Sequence, residues 1–221
     1  MSTVYDGVVV TGGPSDVREL DALTIRKCSV SAMDNNVYLL TCRRTGAQLL
    51  VDAADDAARV RALVQEGTGG LEQVVTTHQH WDHVRALAAV VETSGAATAA
   101  GRDDADALPV PVDRRLVQGD EVRFGDITLG VIHLRGHTPG SVALVYDAAG
   151  AQPHLFSGDS LFPGGPGRTT SPQDFTTLMD DLEHRVFDVL PDETWVYPGH
   201  GADTTLGAER PRLGEWRERG W

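Results

Sequence analysis

The stretch "VVTTHQHWDHV", residues 74–84, sets three histidines and one aspartate within six positions, directly after a short run that reads as a buried strand. His78 and His80 are separated by one residue, so at the exit of a strand both rings point to the same side and can grip one ion. Asp82 and His83 follow one turn further on, at the start of a helix expected to begin near Val84, and turn two more ligands toward space where a second ion could sit. A solvated polar loop or an isolated core histidine accounts for one such residue, but poorly for four in six positions.

A site of nitrogen and oxygen ligands needs further residues delivered from other strand ends. Three candidates appear: His137 in "RGHTPGS" after the strand-like "ITLGVIHL", Asp159 in "LFSGDS", and His200 in "YPGHG". Each stands beside glycine, which lets the backbone turn tightly and approach an ion. His133, His154 and His184 lack that context and are expected in structural or surface roles.

Around these residues the chain alternates strand and helix signals. "YDGVVV", "LTIRKCSV", "NVYLLTC" and "AQLLVDA" read as a meander of strands broken by "TGGPSD", "MDN" and "RRTG". A helix over "AADDAARVRALVQEG" carries Ala57, Val60, Leu63 and Val64 at helical spacing and stops at Gly67; the strand "LEQVVTT" follows. A second helix, "VRALAAVVETSG", ends at Gly95 and leads to a short strand in "AATAAG". "RRLVQGD", "EVRF", "ITLGVIHL", "SVALVY" and "PHLFSG" form a second meander, with Gly119-Asp120 and Gly125-Asp126 as hairpin spacers.

A helix then starts at Ser171, with Pro172 in its first position and Asp174 placed as in a capping box, and runs through "DFTTLMDDLEHRVFDVL". Phe175, Leu178, Met179, Leu182, Val186 and Phe187 mark its apolar face. The strand "TWVYPG" and a short segment from about Leu206 close the chain. Two halves of this kind predict an α/β fold, two mixed sheets face to face with helices on both outer faces, in one domain spanning 1–221.

Composition restricts the function. Of 221 residues, 41% are hydrophobic and 23% charged, an ordinary globular balance. The formal net charge of -13, from 19 Lys+Arg against 32 Asp+Glu, argues against nucleic acid as a partner. No apolar run approaches the roughly 20 residues a membrane helix needs, and no signal-peptide pattern is visible. A small-molecule substrate, no nucleic acid, no membrane and a cytoplasmic location are therefore expected; the oligomeric state is open. Cys28 and Cys42 lie in adjacent strand-like segments and are expected to be buried free thiols.

"HQHWDH", "GHTPGS", "SGDSLF" and "PGHG", with "LLVDA" carrying Asp52, together resemble the five ordered motifs of the metallo-beta-lactamase fold superfamily. The resemblance implies an αββα sandwich in which His78, His80 and His137 hold one metal and Asp82, His83 and His200 a second. Asp159 would bridge the two, and Asp52 would be a buried hydrogen-bonding support for the metal loop. Beta-lactamases of this fold usually carry cysteine where Asp159 stands, and its nucleases handle polyanions.

"HWDH", "SGDSLFPGGPGR" and "PGHGADTTLGAERP" look most like single-domain bacterial glyoxalase II enzymes, hydroxyacylglutathione hydrolase-like. Two-domain members add a C-terminal helical domain with basic residues for glutathione, whereas 21 residues follow His200 here. The resemblance implies thioester hydrolysis with two divalent ions, zinc first, with iron or manganese accepted. Two cations sharing a water bring its pKa toward neutrality, and Asp82 would orient it as the catalytic carboxylate.

The alternatives are a persulfide dioxygenase with a single iron, for which "GRTT" at 167–170 is close to a "GRTD"-like element, an acyl-homoserine-lactone lactonase, and a non-catalytic metal-binding protein. Arg168 is a candidate contact for a substrate carboxylate, or else pairs with an acid to pin its loop. Trp81 is expected to pack against the following helix, or else to wall a pocket.

Overall fold

Val37 and Leu39 face one side of their strand while Tyr38, Leu40 and Cys42 face the other, and every residue of Asn35–Cys42 is buried. A strand apolar on both faces must be covered on both. In the computed structural model, which describes residues 5–148 and 150–220, a second sheet covers one face and helices cover the other.

The first sheet runs β1 (Asp16–Glu19), β2 (Leu23–Val30), β3 (Asn35–Cys42), β4 (Gln48–Val51), β5 (Leu71–Thr76), β6 (Ala97–Gly101) and β7 (Arg114–Leu116), side by side in chain order. Its β1–β4 pairings are antiparallel and the rest parallel, with α1 (Ala57–Glu66) and α2 (Leu87–Ser94) as crossovers. The chain continues through β8 (Glu121–Phe124), β9 (Ile127–His133), β10 (Val142–Tyr146) and β11 (His154–Gly158), a small hairpin β12 (Leu161–Phe162) and β13 (Gly165–Pro166), and α3 (Pro172–Leu182). It ends in β14 (Trp195–Pro198), β15 (Thr204–Thr205), α4 (Leu206–Glu209) and α5 (Leu213–Arg219). The second sheet is ordered β15-β14-β11-β10-β9-β8, antiparallel except for β11 against β14.

Three apolar layers follow. Leu23, Ile25, Leu40 and Leu49 meet Val131, Leu144, Phe156 and Tyr197 between the sheets. Val60, Leu63, Leu87 and Val90 lay α1 and α2 on the first sheet's outer face. Phe175, Leu178, Met179 and Leu182 of α3, with Trp216 of α5, cover the second. Burying each such side chain is worth about 1.5–3 kcal/mol. The architecture is the expected αββα sandwich of two mixed sheets. Among the described residues no helix is long and apolar enough to cross a membrane.

Several local expectations are corrected. Residues 5–10 form no strand, and Val8 and Val10 are 67% and 73% exposed. The amides of Asp6 and Gly7 donate to the Asp16 carboxylate instead of a ladder, and the first strand lies just beyond, from Asp16, partly inside the expected turn. Gly125-Asp126 does join the β8–β9 hairpin, but Gly119-Asp120 lies where the chain passes from the first sheet to the second.

The segment after the histidine cluster is a 3-10 turn over Trp81–His83, and α2 begins only at Leu87. Arg85 and Ala86 donate to Ala54 and Ala53 beyond β4, which holds this stretch off the helical path. α3 keeps its Ser171 cap, which accepts from the Asp174 amide at 3.1 Å, but passes into a π-helical turn over Glu183–Phe187. Cys28 and Cys42 are free and buried on opposite faces of the first sheet.

Candidate metal centre

β5, β11 and β14 end at Thr76, Gly158 and Pro198, and the β9–β10 loop opens at the same edge. Backbone bonds sew these exits together: Val142 N–H donates to Thr77 O at 2.9 Å and Asn36 N–H to Gly199 O at 2.8 Å across the two sheets, and Gly199 N–H to Gly158 O at 2.9 Å within the second. All seven expected ligand residues meet there.

The ligand atoms of His78, His80 and His137 lie within 4.8 Å of one another, as do those of Asp82, His83 and His200, so each group could hold a metal ion. Asp159 stands between them. Its Oδ2 is 3.9 Å from His78 Nε2, 3.6 Å from His137 Nε2 and 3.4 Å from His200 Nε2, and its Oδ1 is 3.4 Å from His83 Nε2.

Each ring of four histidines is tied by Nδ1. His78 bonds Thr77 Oγ1 at 3.0 Å, His83 the Asp52 carboxylate at 3.0 Å, His137 the Arg168 carbonyl at 2.6 Å and His200 the Met33 carbonyl at 2.8 Å. With Nδ1–H donating, the neutral form of each ring leaves Nε2 as the lone pair aimed into the site.

Buried polar atoms without partners are costly. His78 Nε2, His137 Nε2 and Asp159 Oδ1 have none among the described residues, and His83 Nε2 faces His200 Nε2 at 3.1 Å. Divalent cations fit that donor set: they accept several lone pairs at once and match the mixed imidazole and carboxylate chemistry.

The electrostatics point the same way. Burial, then His83, pushes His78 well down, and burial lowers His137, so both favour the neutral imidazole a metal requires. Burial also opposes charge on His83, yet the Asp159 and Asp52 carboxylates outweigh it and lift the ring to about 10. Asp159 is held well below the usual carboxylate range, against its own burial, by His200 and His83. A cation entering the second group therefore displaces protons.

Asp52 lies within ligand distance of His78 and His83 but is fully engaged. Its carboxylate accepts from Thr77 N–H at 2.7 Å and Thr77 Oγ1 at 2.8 Å as well as from His83. Positive φ at Asp52, 58°, turns β4 sharply into this arrangement.

Two supporting residues escaped the sequence reading. Asp104, wholly buried, accepts from Gln79 N–H at 2.9 Å, Thr138 Oγ1 at 2.5 Å and Gly140 N–H at 2.7 Å, and so joins the loop of His80 to that of His137. Its signal was an acid just beyond a strand that ends in glycine, the context that marked Asp159. Asn35 sits at the end of what read as a turn and donates to Asp82 Oδ2 at 2.9 Å.

Gly199 is required by space. A Cβ there would stand 2.0 Å from Asp159 Oδ1 and 2.8 Å from His83 Cε1. Arg168 contributes its carbonyl to His137, while its side chain is exposed in a shallow hollow with Thr169–Pro172. Trp81 does not pack on the following helix: it is 60% exposed, with the Arg85 guanidinium 5.4 Å from its ring centre. His133, His154 and His184 lie outside the ligand groups and bond Pro139 O, Tyr197 Oη and Asp180 O.

Comparison with known proteins places this arrangement in a wider group. A hydroxyacylglutathione hydrolase of Jannaschia sp. (strain CCS1) is 36% identical over 169 residues, 76% of this chain and 62% of that protein. One of Rhodopseudomonas palustris (strain ATCC BAA-98 / CGA009) is 34% identical over 190 residues, 85% of this chain and 67% of that one. The chain thus spans under two thirds of the first relative's length.

Among solved structures, ETHE1 from Myxococcus xanthus superposes with a TM-score of 0.75 at 29% identity, covering 86% of this chain and 84% of that one. TTHA1623 in a di-iron-bound form gives 0.68 at 34% identity, covering 82% and 95%. The profile of the Metallo-beta-lactamase superfamily matches residues 31–200, a span that starts just before β3 and ends on His200, so that it contains every strand exit described above. With fold, motif order and this match in agreement, the chain belongs to the metallo-beta-lactamase superfamily.

Proposed function

We propose that the protein is a metal-dependent hydrolase of thioesters, S-acyl derivatives of glutathione or of another small thiol. The observation that carries this reading is the pair of ligand groups sharing Asp159; the names of the relatives support the thioester. In this reading His78, His80 and His137 would hold one divalent ion and Asp82, His83 and His200 the other, with Asp159 available to both groups. Zinc is the proposed metal, with iron or manganese compatible with the same donors. Such ions supply Lewis acidity, bringing a water's pKa toward neutrality and polarising a carbonyl.

The chain's own residues do the positioning. Asp82, its Oδ2 fixed by Asn35 Nδ2–H at 2.9 Å, orients the attacking water and takes up its proton. Asp52 fixes the His83 ring, and the Arg168 and Met33 carbonyls fix His137 and His200. The water oxygen bonds to the acyl carbon and the carbon–sulfur bond breaks with its electron pair going to sulfur, giving a carboxylate, a thiolate and two protons, one of which the thiolate takes up when it leaves as the thiol. A thiol of pKa about 8.5 leaves with little need of protonation, so no dedicated general acid is required. A small-molecule substrate and a cytoplasmic setting complete the proposal.

Metal analysis of purified protein, alongside assays of S-lactoylglutathione hydrolysis and oxygen-dependent persulfide consumption, tests it. Hydrolysis with two ions per chain is expected. One iron per chain with oxygen uptake would overturn it, and His83→Ala that hydrolyses normally would overturn the two-ion arrangement.

A further inference from the structure

A cleft of about 510 Å³ opens beside the first ligand group, lined by His80 and His137 themselves and, among others, by Asp103, Arg135, Asp174 and Thr177. A substrate whose carbonyl reaches those histidines has this cleft beside it to receive part of its length, which makes the charge of the cleft a selector of substrate.

Among the described residues its lining carries one guanidinium, Arg135, whose fork is held in place by a carboxylate. Arg135 donates from Nε and Nη2 to the two oxygens of Asp181 at 2.8 and 2.7 Å, and Asp181 also accepts from Arg185. Asp174 accepts from Ser171 Oγ at 2.7 Å and Thr170 Oγ1 at 2.9 Å, and these bonds hold it below the usual carboxylate range, so it is anionic. Asp103 is exposed and pairs with no cation among the described residues.

A further cation, Arg168, is exposed in the adjoining hollow that shares Thr170 with the cleft. A glutathione carrier brings two carboxylates and one ammonium. Arg168 can answer one carboxylate; the other is set against Asp103 and Asp174. The formal net charge of -13 adds long-range repulsion of the same sign.

We propose that this cleft seats the thiol-carrier half of the substrate and selects neutral or cationic carriers, bearing hydroxyl or amine groups that donate to Asp103 and Asp174, over carriers with two carboxylates. This rests on the thioester reading above and narrows its substrate class. Selection arises from repulsion of the wrong carrier as much as from attraction of the right one.

Three thioesters with the same acetyl group isolate the carrier: acetylthiocholine, cationic; S-acetyl-N-acetylcysteamine, neutral; and S-acetylglutathione, with two carboxylates. On the metal-loaded full chain, kcat/KM for the first two is expected to exceed that for the third by about tenfold, carried mainly by KM. Raised salt should compress the spread. Asp103→Lys should lower the acetylthiocholine value and raise the S-acetylglutathione value several-fold, each relative to the neutral thioester.

If S-acetylglutathione is the preferred substrate, or if Asp103→Lys leaves the cation-to-anion ratio unmoved, the carrier inference is wrong while the thioester reading stands. If none of the three, nor S-lactoylglutathione, is hydrolysed by protein with its full metal content, the thioester reading fails and the inference falls with it.

Discussion

Gly199→Ala adds a single methyl group at the most crowded point of the site. The new Cβ would lie 2.0 Å from Asp159 Oδ1, where real Cβ contacts essentially never fall below 3.0 Å, so something must yield by about 1 Å. The backbone is poorly placed to yield. Gly199 O accepts from Asn36 N–H at 2.8 Å and Gly199 N–H donates to Gly158 O at 2.9 Å, so moving it breaks two buried bonds at about 1 kcal/mol or more each.

Asp159 moves instead, and it is the carboxylate that faces both ligand groups. A displacement of about 1 Å in such a group costs on the order of a hundredfold in rate, and disturbed ligand support costs 10–100-fold in metal affinity. Competition against a chelator measures the affinity, and circular dichroism confirms that the variant is folded. Gly214→Ala, with nothing within 4 Å of its added Cβ, is the control and should bind metal as the parent does. A folded Gly199→Ala protein whose metal affinity lies within threefold of the parent would refute the assignment of Asp159 to both groups.

Other consequences follow from the same geometry. Asp52→Asn keeps the shape but loses one acceptor and the charge that orients His83, so metal affinity should fall 10–100-fold while the secondary structure persists. Metal at a free concentration 1,000 times its Kd should stabilise the fold by about 4 kcal/mol per site, and a chelator should therefore lower Tm by about 10 °C for each ion it removes from a chain of this size. An unchanged Tm would mean that no ion binds tightly.

Lys27, the sole lysine, is fully buried and donates to Asp203 at 2.6 Å and to Gly7 O and Gly201 O at 2.7 Å. Lys27→Met should cost about 3–5 kcal/mol in urea unfolding, partly recovered by adding Asp203→Asn. His154 is lowered to about 4 by burial and then by Arg18, so its neutral form stabilises the fold. That contribution is complete above pH 6.5, the unfolded value, and is lost as pH falls toward 4. Stability of His154→Gln should fall less steeply than the parent's over that window, by up to about 3 kcal/mol; parallel slopes would remove His154 from the acid response.

What could be read in the sequence and what could not divides along physical lines. His78, His80, Asp82 and His83 announce themselves because a metal site needs particular side chains, and those side chains have letters. Periodicity exposed the α3 face from Phe175 to Leu182 for a similar reason: burial on one side of a helix recurs every three to four residues. The first strand was misplaced because the Asp16 carboxylate captures the Gly7 amide, a tertiary contact that competes with the local β signal of "YDGVVV". The helix start was misplaced for a like reason, since the bonds from Arg85 and Ala86 to the β4 exit join residues some thirty positions apart.

The deeper limit concerns what aims the ligands. His137 and His200 are oriented by the carbonyls of Arg168 and Met33, and every residue has a carbonyl, so no choice of side chain marks those positions. Arg168 shows how this misleads: its guanidinium drew attention as a candidate substrate contact, while the bond it makes at the site is through its backbone. Asp104 is the intermediate case, a side chain that joins two ligand loops through three bonds yet touches no ligand ring. Its loss should therefore loosen His80 and His137 together and spare His83 and His200. Asp104→Ala thus separates the two ligand groups by experiment: metal bound per chain should drop from two toward one, and an even loss at both sites would show that the loops are not held independently.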